Sequence, residues 1–399
     1  MVSEDYKAML QGKSIIRQLA EYATARGAEI GYENVFDYSL GNPGVPAPQA
    51  FTDEMIRLLK EEDPMKLHGY SQSQGIPEVR QKHADYLNKR FGMNYTAEHL
   101  FMTTGAAGAV AHAARAVTKP GDEVITFAPF FPEYIQYINR TGAKLKIVQA
   151  DTENFQIDFD AFRSAFTDKT AAVLINTPNN PSGAMYSEET LKTLSGIMRK
   201  MQDKYDHEIF LLSDEPYREI VFDGKTCPYP AKFYENTLTC YSYSKSLSVP
   251  GERIGYVAIN PEAKDADLIS AMCAQISRGL GHNCPPSIIQ LAVANTLGVT
   301  SDISVYETNM NTLYDELTGL GFKIVRPGGT FYIMPKALED DSVSFCNKAK
   351  EHDLILVPAD GFGAPGYFRM AYCIETEKVN RSLEAFRRFV NECYPGRRD

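Results

Sequence analysis

A lysine surrounded by potential phosphate ligands is the strongest chemical signal in the chain. The segment YSYSKSLSVPGERIGY, residues 241–256, places Lys245 among hydroxyl groups and eight residues before Arg253. Ser242 and Ser244 can donate to phosphate oxygens, and the forked guanidinium of Arg253 matches two of them. A bound phosphorylated cofactor can lower the pKa of an amine and hold an aldehyde beside it. The segment therefore predicts a Schiff base between Lys245 and pyridoxal phosphate. The alternative is a solvated lysine in a serine-rich loop.

A carboxylate and a phenol follow a short apolar run. Asp214 and Tyr217, in SDEPY, come directly after residues 209–212. A pyridine nitrogen stays protonated, and so withdraws electrons, when a carboxylate faces it. We expect Asp214 to be that carboxylate and Tyr217 to bind the ring hydroxyl. The alternative is that Asp214 caps a helix, as Asp often does after a strand.

Two further motifs offer groups for the oxygens of a cofactor. NTPNNPSG, residues 176–183, holds Asn180 between two prolines, where its amide could reach a cofactor oxygen; a plain turn has similar composition. TTGAAGAV, residues 103–110, opens a small-residue helix. Its Gly105, Ala106 and Ala107 leave backbone N–H groups uncovered at the helix N-terminus, which is an anion site unless the small residues serve only tight packing.

Two side chains elsewhere are expected to face a planar ring and a carboxylate. Phe131, in PFFPEY, follows a strand end and could stack on a ring, although core packing is the commoner fate of Phe. Arg369, in YFRMAY, lies within a strand flanked by aromatic residues. Because an unpaired buried guanidinium is costly, a carboxylate of the protein or of a substrate should meet it.

Short apolar runs alternate with helical patterns through the middle of the chain, which predicts a mostly parallel sheet covered by helices. The candidate strands lie at 123–127, 145–148, 171–175, 209–212, 238–241 and 255–259. A long helical stretch from about 287 to 320, strands at 330–334 and 367–372, and a final helix predict a smaller α+β domain. We expect residues 1–50 to contribute to that small domain, 51–286 to form the large cofactor-binding domain, and 287–399 to complete the small one.

Composition excludes several classes of function. The 399 residues carry a formal net charge of −10 and no basic run, which disfavours nucleic acid as a partner. There is no apolar stretch of about 20 residues for a bilayer and no secretory pattern after Met1. The seven cysteines are scattered without a C-x-x-C pair, so we expect reduced thiols, a cytoplasmic location and no metal site.

The motifs, in this order, resemble the class I/II aminotransferases, enzymes of pyridoxal-phosphate fold type I, over nearly the whole chain. The most specific elements are Ser-x-Ser-Lys with its downstream Arg, and Asn-Pro-Ser-Gly followed by Asp-Glu-Pro-Tyr. The resemblance implies that Lys245 forms the internal Schiff base, that Asp214 faces the pyridine nitrogen, and that Tyr217 and Asn180 bind the ring hydroxyl. Asn180 is also implied in substrate binding.

The resemblance assigns the phosphate and the substrate as well. It implies that Ser242, Ser244, Arg253 and the backbone of Ala106 and Ala107 hold the phosphate, and that Phe131 stacks on the ring.

On the substrate side, the resemblance implies that Arg369 and the backbone of Gly41 bind the α-carboxylate. It further implies a homodimer in which the neighbouring subunit lends Tyr70 to the phosphate. Arg278 lies near where one branch of the family places an arginine for a distal carboxylate.

The implied reaction moves an amino group, by a ping-pong mechanism, from an L-amino acid such as aspartate or another small amino acid to a 2-keto acid such as 2-oxoglutarate. The same cofactor set also serves C–S lyases that carry out β-elimination. A third possibility is a binding protein built on a lapsed aminotransferase domain, but the acidic chain has no room for a basic DNA-binding module, and both Lys245 and Asp214 are present.

Overall fold

A computed structural model of the chain describes residues 6–7, 15–149 and 151–396. The bounds of its strands and α-helices follow in chain order. The strands are β1 (Phe36–Asp37), β2 (Leu100–Thr103), β3 (Glu123–Phe127), β4 (Lys144–Val148), β5 (Thr170–Asn176), β6 (Phe210–Asp214), β7 (Thr237–Ser242), β8 (Gly255–Ile259), β9 (Tyr332–Ile333), β10 (Leu354–Ile355), β11 (Val357–Pro358) and β12 (Phe368–Ala371). The helices are α1 (Ile15–Ile30), α2 (Gln49–Glu61), α3 (Pro64–His68), α4 (Pro77–Phe91), α5 (Gly105–Val117), α6 (Tyr134–Asn139), α7 (Phe159–Ala165), α8 (Glu188–Tyr205), α9 (Tyr243–Ser246), α10 (Ala266–Gly279), α11 (Ser287–Asn295), α12 (Ser304–Gly319), α13 (Ser342–Lys350) and α14 (Thr376–Cys393).

Seven strands form one central sheet in the order β2-β8-β7-β6-β5-β3-β4. Neighbouring strands from β7 to β4 pair in parallel, and β8 pairs antiparallel to both β2 and β7. The mostly parallel α/β sheet expected from the sequence is therefore confirmed. Because β5, β6 and β7 run in the same direction, the loops that follow them leave the sheet at one edge.

Helices cover both faces of this sheet, as the apolar strands require. Along β5, Ala172 and Leu174 pack toward α5 and α10, while Val173 and Ile175 pack toward α7 and α8. This alternation is the period of a strand that is buried on both sides. The strand ends are thereby held in a rigid frame.

The remaining strands belong to a second group with its own hydrophobic core. β11, β12 and β9 form a small antiparallel sheet, and β1 pairs in parallel with β10, so residues near the start of the chain join residues near its end. Helices α12 and α14 pack on each other beside these strands. The predicted boundaries between residues 50 and 51 and between 286 and 287 stay a prediction.

One expected element is divided in two. The helical stretch expected from about 287 to 320 is interrupted between α11 and α12, so a single helix was wrong. The first of these helices ends at Asn295 with Thr296 as its C-cap residue, and Gly298 in the connection has a positive φ of +87°, which suits glycine. α11 packs against α2, whereas α12 packs against α14.

None of the helices among the described residues has both the length and the apolar surface that crossing a membrane requires. All seven cysteines are free thiols. The cytoplasmic location expected from the sequence stays a prediction.

Candidate active site

A cavity of about 300 Å³ opens where β5, β6 and β7 end. It brings together most of the residues that the sequence singled out. These are Gly41, Ala106, Ala107, Phe131, Asn180, Asp214, Tyr217, Ser242, Ser244, Lys245, Arg253 and Arg369. Ligands of open α/β sheets bind at this edge because the loops there are free of the core.

Lys245 reaches the cavity from α9, a single turn that begins directly after β7. The Oγ of Ser242 caps this turn by accepting from the N–H of Ser244 at 3.2 Å. The Nζ of Lys245 donates to the carbonyl oxygen of Gly41 at 2.7 Å. Burial, assisted by the positive charges of Arg253 and Arg369, lowers the pKa of Lys245 to about 8. A neutral amine is thus accessible near physiological pH, as a nucleophile or a general base requires.

Asp214, the last residue of β6, is buried with one oxygen unused. The hydroxyl of Tyr134 donates to its Oδ2 at 2.5 Å, whereas Oδ1 has no hydrogen-bond partner among the described residues. Burial, reinforced by the neighbouring Glu215, raises the pKa of Asp214 to about 7, although the bond from Tyr134 opposes the shift. A protonated pyridine nitrogen would supply both the missing donor and the missing positive charge. The site therefore fits a pyridinium ring at this oxygen.

The anion site lies at the start of α5. Gly105 has a φ of +83°, and a Cβ at this position would lie 2.9 Å from Nη2 of Arg253. Arg253 donates to the carbonyl oxygens of Pro250 and Thr104, and no carboxylate of the described residues lies within ion-pair distance of it. Glycine thus keeps the guanidinium beside the helix N-terminus, where both favour a phosphate.

The hydroxyls expected at the phosphate lie beside that helix start. The Oγ of Ser242 donates to the Oγ of Ser244 at 2.8 Å, and both side chains line the cavity with Ala106 and Ala107. Phe131 also lines the cavity, and its ring meets the ring of Tyr134 edge to face at 5.7 Å. Phe131 thus lies where the predicted stacking on a planar ligand would occur.

Arg369, on β12, lies buried at the opposite wall. Its Nη2 donates to the carbonyl oxygen of Ser39 at 2.5 Å, and its Nη1 donates to Asn180 Oδ1 at 3.3 Å. Its Nε has no hydrogen-bond partner among the described residues. The rings of Tyr332 and Phe362 lie 4.6 and 5.0 Å from the guanidinium. No carboxylate of the described chain pairs with it, and burial lowers its pKa. The sequence predicts that a carboxylate of the protein or of a substrate meets Arg369. Because the described residues provide none, a carboxylate of the substrate is the expected partner.

Three residues of the site were missed in the sequence. Tyr134 binds Asp214, and Asn176 donates from Nδ2 to the Asp214 carbonyl at 2.8 Å while its Oδ1 accepts from the N–H of Asn180 at 2.6 Å. Tyr332 has its hydroxyl 3.4 Å from that of Tyr217. Asn176 stands in the very motif that drew attention to Asn180, so its place at the strand end was a usable signal.

Three predicted residues are not among those that line this cavity. Gly105 directly precedes Ala106 at the start of α5, whereas the other two lie on the surface. Tyr70 is fully exposed, and Arg278 lies exposed in the last turn of α10. Neither is brought to the site by the fold of a single chain. Gly41, by contrast, is fixed in place, because a Cβ there would lie 1.8 Å from the Tyr332 hydroxyl oxygen.

Comparison with known proteins agrees with this geometry. The model of the family "Aminotransferase class I and II" matches residues 33–386. An aspartate aminotransferase of Thermotoga maritima is 29% identical over 367 residues, covering 90% of this chain and 92% of the relative. An aspartate aminotransferase of Bacillus subtilis is 29% identical over 393 residues, covering 94% and 96%.

Solved structures share the whole fold. A crystal structure of an aminotransferase from Eubacterium rectale superposes with a TM-score of 0.96 and 46% identity, covering 98% of this chain and 99% of the other. The aspartate aminotransferase of Thermus thermophilus with maleate superposes with a TM-score of 0.86 and 26% identity, again covering 98% and 99%.

Proposed function

The chain belongs to the aminotransferase class I and II family, a family of pyridoxal-phosphate-dependent transferases, and we propose that it moves an amino group between an L-amino acid and a 2-keto acid. The donor we propose is aspartate or another small amino acid, and the acceptor a 2-keto acid such as 2-oxoglutarate. One observation carries the proposal: a single cavity joins the amine of Lys245, the unpartnered oxygen of Asp214 and the uncompensated guanidinium of Arg369.

We assign the groups of pyridoxal phosphate to the features that fit them. The ring nitrogen belongs at Asp214 Oδ1, the ring hydroxyl at Tyr217 and Asn180, and the ring face at Phe131. The phosphate belongs at the start of α5, where Arg253 and the serine hydroxyls meet the helix N-terminus. When bound, the cofactor supplies an aldehyde that condenses with amines and a ring that withdraws electrons from the substrate Cα.

The side chains then divide the work. Arg369 binds the α-carboxylate, for which its buried guanidinium has no competitor among the described residues. Lys245, whose amine has a pKa of about 8, would act as the base and acid that moves the proton of the substrate Cα. Asp214 keeps the ring nitrogen protonated throughout. Because one site serves both substrates in turn, ping-pong kinetics are expected.

The substrate side chain is the least determined part of the proposal. The relatives are named for aspartate, and the Thermus thermophilus enzyme holds maleate, a dicarboxylate. Arg278 is our candidate for the distal carboxylate, but it lies outside the cavity of its own chain, so it would have to act across a subunit interface. Arg278→Ala should raise the apparent KM for aspartate far more than that for alanine, as measured by steady-state kinetics. Equal effects on both would remove Arg278 from the substrate site.

A homodimer would also give Tyr70 a role. Its side chain is fully exposed, close in sequence to the exposed Ile56, Leu59 and Met65, as expected for a surface that a second subunit covers. We propose that Tyr70 binds the phosphate of the neighbouring subunit.

The test is the absorption spectrum of the purified holoenzyme with single amino acids, followed by 2-oxoglutarate. We expect the visible band to bleach with a preferred donor and to return with the keto acid. Bleaching by no amino acid would contradict the proposal. Release of pyruvate from cystathionine without any keto acid would instead indicate a C–S lyase.

A further inference from the structure

The wall of the cavity has two faces with different chemistry. Residues 213–219 and 241–246, here called the cavity wall, carry Asp214, Tyr217, Ser242, Ser244 and Lys245 toward the candidate site. Several other side chains of these two segments point to the opposite face. Those side chains are Glu215, Arg218, Glu219, Tyr241 and Ser246, and all but Glu215 line a separate cavity of about 530 Å³.

Arg218 is the centre of this second face. Its side chain is 1% exposed, and its Nη1 lies 3.0 Å from Oε2 of Glu215, whose side chain is fully buried. Its Nη2 donates to the Tyr256 hydroxyl at 3.0 Å, and its Nε lies 3.4 Å from Oε1 of Glu219. The ring of Tyr241 lies 4.4 Å from the guanidinium. A guanidinium with this many fixed partners has one orientation.

One arm of the network reaches the segment that carries Asp214. The carboxylate of Glu215 accepts from Ser213 Oγ at 2.8 Å and from Thr239 Oγ1 at 3.3 Å, and its N–H donates to the Cys240 carbonyl at 2.8 Å. Asp214 lies between Ser213 and Glu215 in the chain. Anchoring both neighbours fixes the direction in which the Asp214 side chain leaves the strand.

A second arm reaches the turn that carries Lys245. Glu219 accepts from the Tyr241 hydroxyl at 2.8 Å, and that hydroxyl lies 2.9 Å from Ser246 Oγ. Tyr241 lies in β7, two residues before the turn that presents Lys245, and Ser246 is the last residue of that turn. Arg218 thus contacts the supports of both groups, and Arg90 also pairs with Glu219, at 2.8 Å.

We propose that Arg218 is a positioning residue for the reaction: through Glu215 and Glu219 it sets the relative placement of Asp214 and Lys245 around the ring of the cofactor. The inference rests on the proposed function. Its electrostatic part follows from burial, since loss of Arg218 would leave the Glu215 charge uncompensated next to Asp214. Its geometric part follows from the two arms, because binding groups displaced by even a small distance lose much of their effect.

The test compares variants in their affinity for pyridoxal phosphate, measured by equilibrium dialysis of the apoprotein, and in the pH midpoint of the visible band of the holoenzyme. Arg218→Met should raise the dissociation constant at least about tenfold, since a misplacement on the order of 1 Å has effects up to about a hundredfold. It should also raise the midpoint, because the site becomes more negative. The double variant Arg218→Met with Glu215→Gln restores neutrality and should recover most of both losses.

Arg199→Met is the matched control. Arg199 also pairs with a glutamate, at 2.6 Å from Glu235, and lies 5.5 Å from a tyrosine ring, but it is away from the cavity wall. It should match the wild type in both measurements. Tyr241→Phe removes only the hydroxyl of the second arm, so it tests the proposal even if Arg218→Met fails to fold, and it too should weaken cofactor binding.

The outcomes separate this inference from the function on which it rests. If wild-type protein does not bind pyridoxal phosphate, both fail. If it binds, and Arg218→Met or Tyr241→Phe loses thermal stability while both its dissociation constant and its pH midpoint stay at wild-type values, Arg218 is merely structural and the inference is overturned.

Discussion

The two faces of the cavity wall bury the same kinds of charge and treat them in opposite ways. On the face away from the candidate site, Glu215 and Arg218 are paired at 3.0 Å. On the cavity face, Asp214 keeps one oxygen without a partner among the described residues. Across the cavity, Arg369 on β12 is buried without a carboxylate partner among those residues. A buried charge without a partner lowers the free energy of unfolding, whereas a close partner offsets most of that cost. The comparison teaches that the cavity charges are held for a ligand that brings the opposite charges.

The adjacent residues Asp214 and Glu215 allow the largest test of this contrast. Asp214 has its pKa raised from 3.8 to about 7, so the folded apoprotein loses stability as the pH rises through that window. Asp214→Asn should therefore raise the free energy of unfolding of the apoprotein at pH 8 by up to about 4 kcal/mol. Glu215→Gln should lower it by about 3 kcal/mol, because it deprives Arg218 of a partner.

Urea unfolding of the two apoproteins at pH 4 and pH 8 checks both signs. The gain from Asp214→Asn should be nearly absent at pH 4, where the carboxyl of the wild type is largely protonated in the folded state. Shifts in the same direction for both variants would remove the distinction between the two faces.

Arg369 should matter to substrate and hardly at all to cofactor. Arg369→Met should lower kcat/KM for the amino acid donor by about 10³-fold, since loss of a buried charge partner is worth several kcal/mol. The dissociation constant for pyridoxal phosphate should stay within about threefold of the wild type, because the only hydrogen bond from Arg369 to a proposed cofactor ligand among the described residues is the 3.3 Å contact with Asn180. The exposed Arg326, changed to Met, is the control and should alter neither quantity. A parallel loss of cofactor affinity would show that Arg369 belongs to the cofactor site.

The buried charge of Lys245 should also lower the free energy of unfolding of the apoprotein, by a smaller amount than that of Asp214 does. Its pKa is lowered from 10.5 to about 8, so the penalty of burying its charged form is full below pH 8 and disappears as the pH rises toward 10.5. Lys245→Met should raise the free energy of unfolding at pH 7 by up to about 3 kcal/mol. Urea titrations at pH 7 and pH 10 measure the effect. A gain that is equal at both pH values would contradict the lowered pKa as its cause.

Tyr134 should give the smallest effect. Tyr134→Phe removes the hydroxyl that donates to Asp214, and one hydrogen bond is worth about 1 kcal/mol, so cofactor affinity should fall about fivefold. Tyr234→Phe is the control, since its hydroxyl donates at 2.6 Å to the Ile209 carbonyl, near the opposite edge of the sheet. It should leave the dissociation constant within about twofold of wild type; equal losses would mean that the Tyr134 bond acts only on general stability.

Much of the central sheet could be predicted because its strands are short apolar runs bounded by polar turns. β3 and β8 have the predicted bounds, and β5 and β6 end one or two residues beyond them. The strand β2 was missed, since its four residues lead directly into the small-residue start of α5. The division of the long helical stretch into α11 and α12 was missed as well.

In the candidate site, too, some features could be predicted from the sequence and others could not. Polar residues that directly follow apolar runs could be found, because strand ends converge at one edge of a parallel sheet. The hydrogen-bond partners of these residues could not be found, although Asn176 itself stands in a motif that the sequence singled out. Asn176 and Asp214 are register partners in neighbouring strands, and Tyr134 reaches Asp214 across 80 residues of sequence. Such contacts depend on strand order and register, which no local pattern contains.

The most direct test of the account is to locate the covalent bond. Wild-type holoenzyme is reduced with borohydride, digested and analysed by mass spectrometry, with Lys245→Met as the control. The account predicts a phosphopyridoxyl group on Lys245 and none on any peptide of the variant. A label on another lysine, or an equal label on the variant, would contradict it.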